Sequence, residues 1–167
     1  MAQALGTEYD FMPIPPDLSK CTAIKSDKLT FLVEERVLTD DMAREAYLDN
    51  PAAMKYYDGK VRKAKPPRGG VSIHVMSNDD GKEYLRFDCF PEDPHYHYVQ
   101  HAKNINLWIP YDDTANGDVL QWALGRLGGP LPGMLRKAGA GALAEKLDMK
   151  ALQPALKELA AVAAAKQ

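Results

Sequence analysis

A chain of 167 residues, 46% hydrophobic and 26% charged, is long enough to bury its own core and has the composition of a folded globular protein, which excludes disorder of the whole chain. Its formal net charge of −2 gives no global attraction to nucleic acid or to an anionic membrane. Two distant cysteines exclude a disulfide-rich secreted scaffold, and the lack of a signal peptide or an apolar run of roughly 20 residues predicts a cytoplasmic protein without a membrane association.

The N-terminal part of the chain predicts an arm, a strand and a helix. Residues 1–20 form the arm, since the proline-rich run 12–16 favours extended polyproline geometry. Apolar residues within 29–37 predict a strand. Thr39 is a typical N-cap for the helix that follows, and Asn50-Pro51 is expected to end that helix.

A basic connector, residues 55–68, leads from this helix to the middle of the chain. It contains several lysines and arginines beside Tyr56 and Tyr57, a composition that can follow a phosphate backbone. Because the whole chain is nearly neutral, a solvated linker is the favoured interpretation, and nucleic acid is not an expected partner.

The middle of the chain predicts a β-hairpin. Apolar residues alternate with polar ones in 71–76 and 84–89, and the turn 78–81 ends in a glycine suited to the left-handed position of a bulged turn. The pairs that follow are Asn78 with Lys82, Val75 with Leu85, Ile73 with Phe87, and Val71 with Cys89. The opposite side, the polar face, then pairs Met76 with Tyr84, His74 with Arg86, and Ser72 with Asp88.

Two more strands and a helical segment complete the chain. Strands are predicted at 95–99 and at 105–109, the second ended by Pro110. Asn116 is expected to cap a helix whose apolar side spans 119–127. Short helices follow at about 131–138, 142–147 and 154–166.

Strands followed by helices are typical of an α+β fold. We expect an antiparallel β-meander of four or five strands, with the C-terminal helices packed on one face and an extended N-terminal arm. A single domain, 1–167, then consists of the arm (1–20), strands with one inserted helix (29–112) and a helical segment (114–166).

His95 and His97 are the candidate metal ligands. Residues two apart on a strand project from the same side, roughly 6–7 Å apart along the strand. Two imidazoles at this spacing can bind a divalent transition metal if a neighbouring strand adds a third ligand. The alternative is that they are ordinary strand residues with satisfied polar tips.

The register of this strand decides which face the two histidines occupy. In one register they join the polar face. In the other they lie under the helices, and Tyr96 and Tyr98 join the polar face instead. The turn 101–104 favours the second register: with Asn104 in the left-handed conformation, Val99 pairs with Leu107 and His97 with Ile109.

The polar face is a second candidate site, for a small ligand. His74, Arg86 and Asp88 could hold an anion or take part in acid–base chemistry, with Tyr96 and Tyr98 beside them in the second register. An exposed cross-strand charge network of small energetic worth is the favoured alternative.

Three segments together resemble a signature of uncharacterised bacterial proteins: Tyr84–Phe90 (YLRFDCF), Pro94–Tyr98 (PHYHY) and Gly117–Leu127 (GDVLQWALGRL). The resemblance covers roughly residues 70–138 and excludes the arm. It implies membership of a family of domains of unknown function and brings no activity, ligand or catalytic residue with it.

These observations favour a binding module that uses a histidine- and tyrosine-lined sheet surface for a metal ion or a small ligand. The alternative is a non-catalytic accessory subunit that docks on a larger protein, or on a second copy, through the arm and the last helix. Residues 139–144 have the letters of a dinucleotide-binding fingerprint but follow a helical segment rather than a strand. No nucleophile or cofactor motif indicates a reaction, so enzymatic activity is left open.

Overall fold

The computed structural model describes residues 5–57 and 63–167. Within these ranges, one antiparallel sheet of seven strands has the spatial order β1-β7-β6-β5-β4-β3-β2. The strands are β1 (Thr7–Tyr9), β2 (Cys21–Lys25), β3 (Leu29–Leu38), β4 (Arg68–Ser77), β5 (Glu83–Cys89), β6 (His95–Gln100) and β7 (Ile105–Pro110). From β2 to β7 each strand pairs with the next one along the chain, which confirms the meander.

The predicted number of four or five strands is wrong, because β1 and β2 were not recognised. β1 has three residues and lies inside the predicted arm. β2 buries only Ile24 among its five residues. Both are edge strands with few buried side chains, so neither has the regular alternation that identifies a half-buried strand.

The described helices are α1 (Asp40–Ala46), α2 (Pro51–Tyr57), α3 (Asp113–Asn116), α4 (Val119–Gly128), α5 (Leu131–Lys137), α6 (Gly141–Lys146) and α7 (Gln153–Ala165). The C-terminal helices pack on one sheet face, as predicted, and bury leucines such as Leu120, Leu127 and Leu159 against Phe31 and Phe87. No described helix is long and apolar enough to cross a membrane.

Helix caps follow the predictions in part. Thr39 caps α1, with its hydroxyl accepting a bond from the Met42 amide at 3.1 Å. Asn50-Pro51 does not directly end that helix: α1 stops at Ala46, and Asn50 caps α2. Asp118, rather than Asn116, caps α4. Asn116 instead ends α3, so the polar residue nearest the apolar run is the true cap.

The β4–β5 pairing has the predicted register near its centre but not at its turn. Val75 pairs with Leu85 and Val71 with Cys89, as expected. A register shift after Val75 then places Met76 opposite Glu83 rather than Tyr84. Ser77, not Asn78, bonds to Lys82. The shift adds a carboxylate, that of Glu83, to the polar face.

The arm is held by its own chain. β1 pairs with β7, and the following residues cross the polar face. Phe11 is buried and packs edge-on against Tyr47 at 5.1 Å between ring centroids. The Ile14 carbonyl oxygen accepts a bond from Arg86 at 2.6 Å, and the Tyr47 hydroxyl donates to the Met12 carbonyl oxygen at 2.6 Å. The polar face is therefore covered by the arm together with α1 and α2.

We expect Phe11→Ala to lower the free energy of unfolding by about 3 kcal/mol, because it removes the central ring of this small aromatic cluster. Urea denaturation measures the loss, and amide exchange in β1 reports release of the arm. Leu18→Ala is the control, since Leu18 is 71% exposed, and should change the stability by less than about 0.5 kcal/mol. Equal stabilities of the two variants would contradict the anchoring role of Phe11.

Candidate metal centre

The β6–β7 turn places the histidine pair on the polar face. Asn104 adopts the left-handed conformation as predicted, with φ of 52°. A 3-10 turn over His101–Lys103 precedes it, so the connection has one residue more than expected and Gln100 pairs with Ile105. His97 is opposite Trp108, not Ile109, and the predicted register is wrong by one residue. A shift of one residue moves every side chain of the strand to the other face.

The register brings His95 and His97 together with His74, Arg86 and Asp88. In β5–β6, Arg86 is opposite His97 and Asp88 is opposite His95. All five side chains are buried. The prediction of an exposed charge network is therefore wrong, because the arm covers this face.

Tyr96 and Tyr98 lie on the opposite face, and their predicted place beside the polar cluster is wrong. Tyr96 stacks against Phe87 at 6.1 Å between ring centroids and tilts against Trp122 of α4 at 5.0 Å. Tyr98 is buried in the core under the helices, with the Lys137 ammonium 4.7 Å from its ring centroid. These tyrosines contribute to packing rather than to the polar face.

Three side chains on the polar face meet at one point. The Oδ2 atom of Asp88 is 3.0 Å from Nε2 of His95 and 3.2 Å from Nε2 of His97. One donor atom from each residue lies within 4.8 Å of the other two. Donor atoms bound to one metal ion at usual bond lengths are about 3.0–3.4 Å apart. Small side-chain adjustments would allow one ion to bind all three.

Hydrogen bonds behind each imidazole orient the rings. Nδ1 of His95 is 2.6 Å from the carbonyl oxygen of Asp93, and Nδ1 of His97 is 2.8 Å from Oδ1 of Asn106. Both partners can accept a bond from Nδ1, and each ring directs its Nε2 at Oδ2 of Asp88. Metal-binding histidines commonly have such partners behind them.

Electrostatics keep the carboxylate ionised. Burial by itself would raise the pKa of Asp88, but the adjacent His95, the hydrogen bond from His97 and the charge of Arg86 outweigh burial and hold that pKa well below its ordinary value. Ser72 donates a hydrogen bond to the other oxygen of this carboxylate. Burial lowers the pKa of His97, partly offset by its bond to Asp88. The group therefore presents an ionised carboxylate between two imidazoles.

His74 belongs to a separate ion network. Its Nδ1 atom is 2.7 Å from Glu83 Oε1, and its Nε2 atom is 2.8 Å from Glu34 Oε2. Carboxylates only accept, so both ring nitrogens donate and the ring is an imidazolium cation. Arg86 pairs with Glu83 at 2.7 Å, and Arg36 pairs with Glu34 at 2.8 Å. With both nitrogens engaged, His74 has no lone pair for a metal.

The sequence predictions missed Glu34, Glu83, Asp93 and Asn106. Glu34 had a detectable signal, because pairing the predicted strand 29–37 with the hairpin places it opposite Ser72 on the polar face. The placement of Asn106 beside His97 depended on the β6–β7 register, which the sequence predicted wrongly. Glu83 reaches the polar face only through the register shift, and Asp93 contributes its main-chain oxygen, so no local pattern indicates either.

A cavity of about 220 Å³ lies above the three converging side chains. Side chains of the sheet, of the arm and of α2 line it. The predicted basic connector contributes Tyr56, Tyr57, Lys65 and Arg68 to this lining. Asp58, Lys60 and Arg62 of that connector lie outside the described residues.

No curated protein and no solved structure matches the chain. A family model described as a domain of unknown function, DUF7700, matches residues 23–163. This span contains Asp88, His95 and His97, whereas β1 and the rest of the arm precede it. The resemblance to a domain of unknown function is confirmed over a longer part of the chain than expected: the protein belongs to the DUF7700 family.

Proposed function

We propose that this domain binds a divalent transition metal ion through Asp88, His95 and His97. One observation supports the proposal above all: two imidazoles, each with its Nδ1 placed beside an acceptor, direct Nε2 at the same carboxylate oxygen. The two Nε2 atoms lie 3.0 and 3.2 Å from this oxygen, close to the spacing of donor atoms that share one metal ion. A metal cation that displaces the protons held between these atoms would be bound by all three side chains.

The ligand chemistry narrows the choice of metal. Two imidazoles and one carboxylate suit zinc, iron, cobalt or nickel. Copper(I) prefers thiolate ligands, and this ligand set contains none. Cys89 is not a ligand, because it lies in the core on the other face of the sheet. Three protein ligands leave coordination positions open, and the cavity above them can accept a small molecule.

The alternative, an accessory subunit that docks through its termini, stays a prediction. Its two proposed docking elements have partners within the chain: the arm packs on the polar face, and α7 buries Ala155, Leu159 and Ala163 against the core. These contacts favour the metal-binding proposal over docking by the same surfaces.

We expect the protein, purified without an affinity tag and incubated with excess Zn²⁺ or Co²⁺, to retain about one ion per chain after gel filtration. The double substitution His95→Ala/His97→Ala should abolish retention, because it removes both nitrogen ligands. Elemental analysis measures the metal, and circular dichroism shows whether the variant is folded. Added metal should also raise the melting temperature of the wild-type protein and should not raise that of the double variant.

His101→Ala is the matched control. This fourth histidine binds the main-chain oxygen of Glu83 at 2.7 Å and lies outside the converging group. Its substitution should leave the metal content unchanged. Absence of retained metal in the wild-type protein, or equal metal in a folded double variant, would overturn the proposal.

A further inference from the structure

The proposed ligands do not neutralise a divalent ion. Asp88 supplies one negative charge, and His95 and His97 bind a metal as neutral imidazoles. Because all three side chains are buried, an ion held by them keeps an excess of one positive charge in a largely buried site. Uncompensated buried charge is costly, so the site favours an anion as the additional metal ligand.

Two cationic side chains line the same cavity as the three converging side chains. The Lys65 ammonium is 2.9 Å from Asp93 Oδ2 and 5.3 Å from the centroid of the Trp108 ring. Arg68 is only 8% exposed, and its Nε and Nη1 groups lie 3.3 Å from Asp93 and 3.7 Å from Asp40 without making a hydrogen bond to a described residue. Asp93, which pairs with both cations, is also the residue whose main-chain oxygen orients His95. The positive charge is thus adjacent to a metal ligand.

Aromatic rings form a large part of the remaining lining of the cavity. The rings that line it are those of Tyr9, Phe11, Tyr47, Tyr56, Tyr57 and Trp108. Several hydroxyls are used within the protein: Tyr9 and Tyr56 bond to each other at 2.9 Å, and Tyr47 donates to Met12. Ring surfaces are therefore what this wall offers a ligand, and aromatic rings pack well against other rings.

We infer that a small aromatic carboxylate binds this metal centre as the ligand from outside the protein. Its carboxylate occupies open positions on the ion near Lys65, and its ring packs between Trp108 and the tyrosine wall. A cavity of about 220 Å³ accommodates a single substituted ring. This inference rests on the proposed metal binding.

The test uses Co²⁺-loaded protein, whose visible absorption bands respond to a new oxygen ligand. Benzoate should change these bands and saturate. Benzamide, a neutral molecule of the same shape, should not change them, and acetate, which lacks the ring, should bind at least about tenfold more weakly. Lys65→Met should weaken benzoate binding about tenfold and leave the Co²⁺ stoichiometry unchanged.

Lys137→Met is the matched control, because Lys137 makes a comparable contact with Tyr98 on the other face of the sheet. It should leave benzoate binding unchanged. If Co²⁺ binds but benzoate does not alter its spectrum, or acetate binds as tightly as benzoate, the ligand inference is wrong and the metal proposal stands. If no Co²⁺ binds, the metal proposal itself fails and the ligand inference falls with it.

Discussion

Asp88→Asn is expected to weaken the binding of Zn²⁺ or Co²⁺ by more than about 100-fold. Loss of a residue that merely orients a ligand commonly weakens metal binding by about 10–100-fold, and loss of the single anionic ligand should have the larger effect. Asparagine has the same shape and can still accept the bond from Ser72. Competition with a chromophoric chelator measures the affinity.

The same substitution should also lower the stability of the metal-free protein. The contacts with His95 and His97 hold the pKa of the buried Asp88 carboxyl below its ordinary value, so the ionised carboxylate stabilises the folded state. We expect Asp88→Asn to lower the free energy of unfolding of the metal-free protein by about 1–3 kcal/mol, which chemical denaturation measures. Severe destabilisation with unchanged metal affinity would mean that Asp88 is a structural residue and not a ligand.

Asn106→Leu provides an intermediate case. It removes the acceptor that orients His97 but no metal ligand. Its effect on metal affinity should lie between those of the wild-type protein and Asp88→Asn, at about 10–100-fold.

Glu83→Gln is expected to lower the free energy of unfolding by about 3–5 kcal/mol, the largest loss of stability that we predict. Glu83 is buried and pairs with both His74 and Arg86. Removing its charge leaves two buried cations without their shared anion, which is more destabilising than loss of an exposed pair. Chemical denaturation measures the difference.

Glu35→Gln is the matched control. Glu35 lies on β3, which β4 separates from the strand of Glu83, and its side chain is 64% exposed where it pairs with Lys166 at 3.4 Å. Loss of such a surface pair changes stability by less than about 1 kcal/mol. A similar effect of the two substitutions would show that the buried network contributes no more than a surface pair.

The same network makes stability depend on pH. Burial would raise the pKa of Glu83, but the charges of Arg86 and His74 outweigh it and lower that pKa far below its ordinary value. Contacts with His74 and Arg36 likewise lower the pKa of Glu34. The folded protein therefore releases these protons more readily than the unfolded chain. Their stabilisation is complete above the unfolded pKa of about 4.3 and is lost as pH falls below it.

Between about pH 5 and pH 3 the wild-type protein should lose stability steeply, and Glu83→Gln should show a shallower slope because one shifted carboxylate is absent. Denaturation curves at several pH values measure both slopes. Parallel profiles for the two proteins would contradict the assignment of the acid sensitivity to Glu83.

The sequence by itself determined features that depend on neighbouring residues. Alternation in 71–76 and 84–89, together with the turn chemistry of 78–81, predicted the central register of β4–β5, and the structure confirms it. The cap at Thr39 was equally local. The sequence also identified Asp88, His95 and His97 as candidate site residues, because they are chemically distinctive residues in strands.

Tertiary structure alone decided which of these side chains meet. One additional residue in the β6–β7 connection reversed the expected face of β6, since side chains alternate and a turn one residue longer moves the whole strand by one position. The register shift that brings Glu83 to His74 is likewise a change of strand pairing by one residue. Small differences in turn energy select between such registers, and packing of the completed sheet resolves them.

Closure of the polar face was also beyond local inference. It requires the main-chain oxygen of Ile14 to meet Arg86, 72 residues later in the chain. The arm has no periodicity that specifies this contact. The unsatisfied carbonyl groups of an extended segment and the buried guanidinium satisfy each other only when the sheet is already formed. That non-local pairing buries a row of charged strand residues and makes them part of the lining of a cavity.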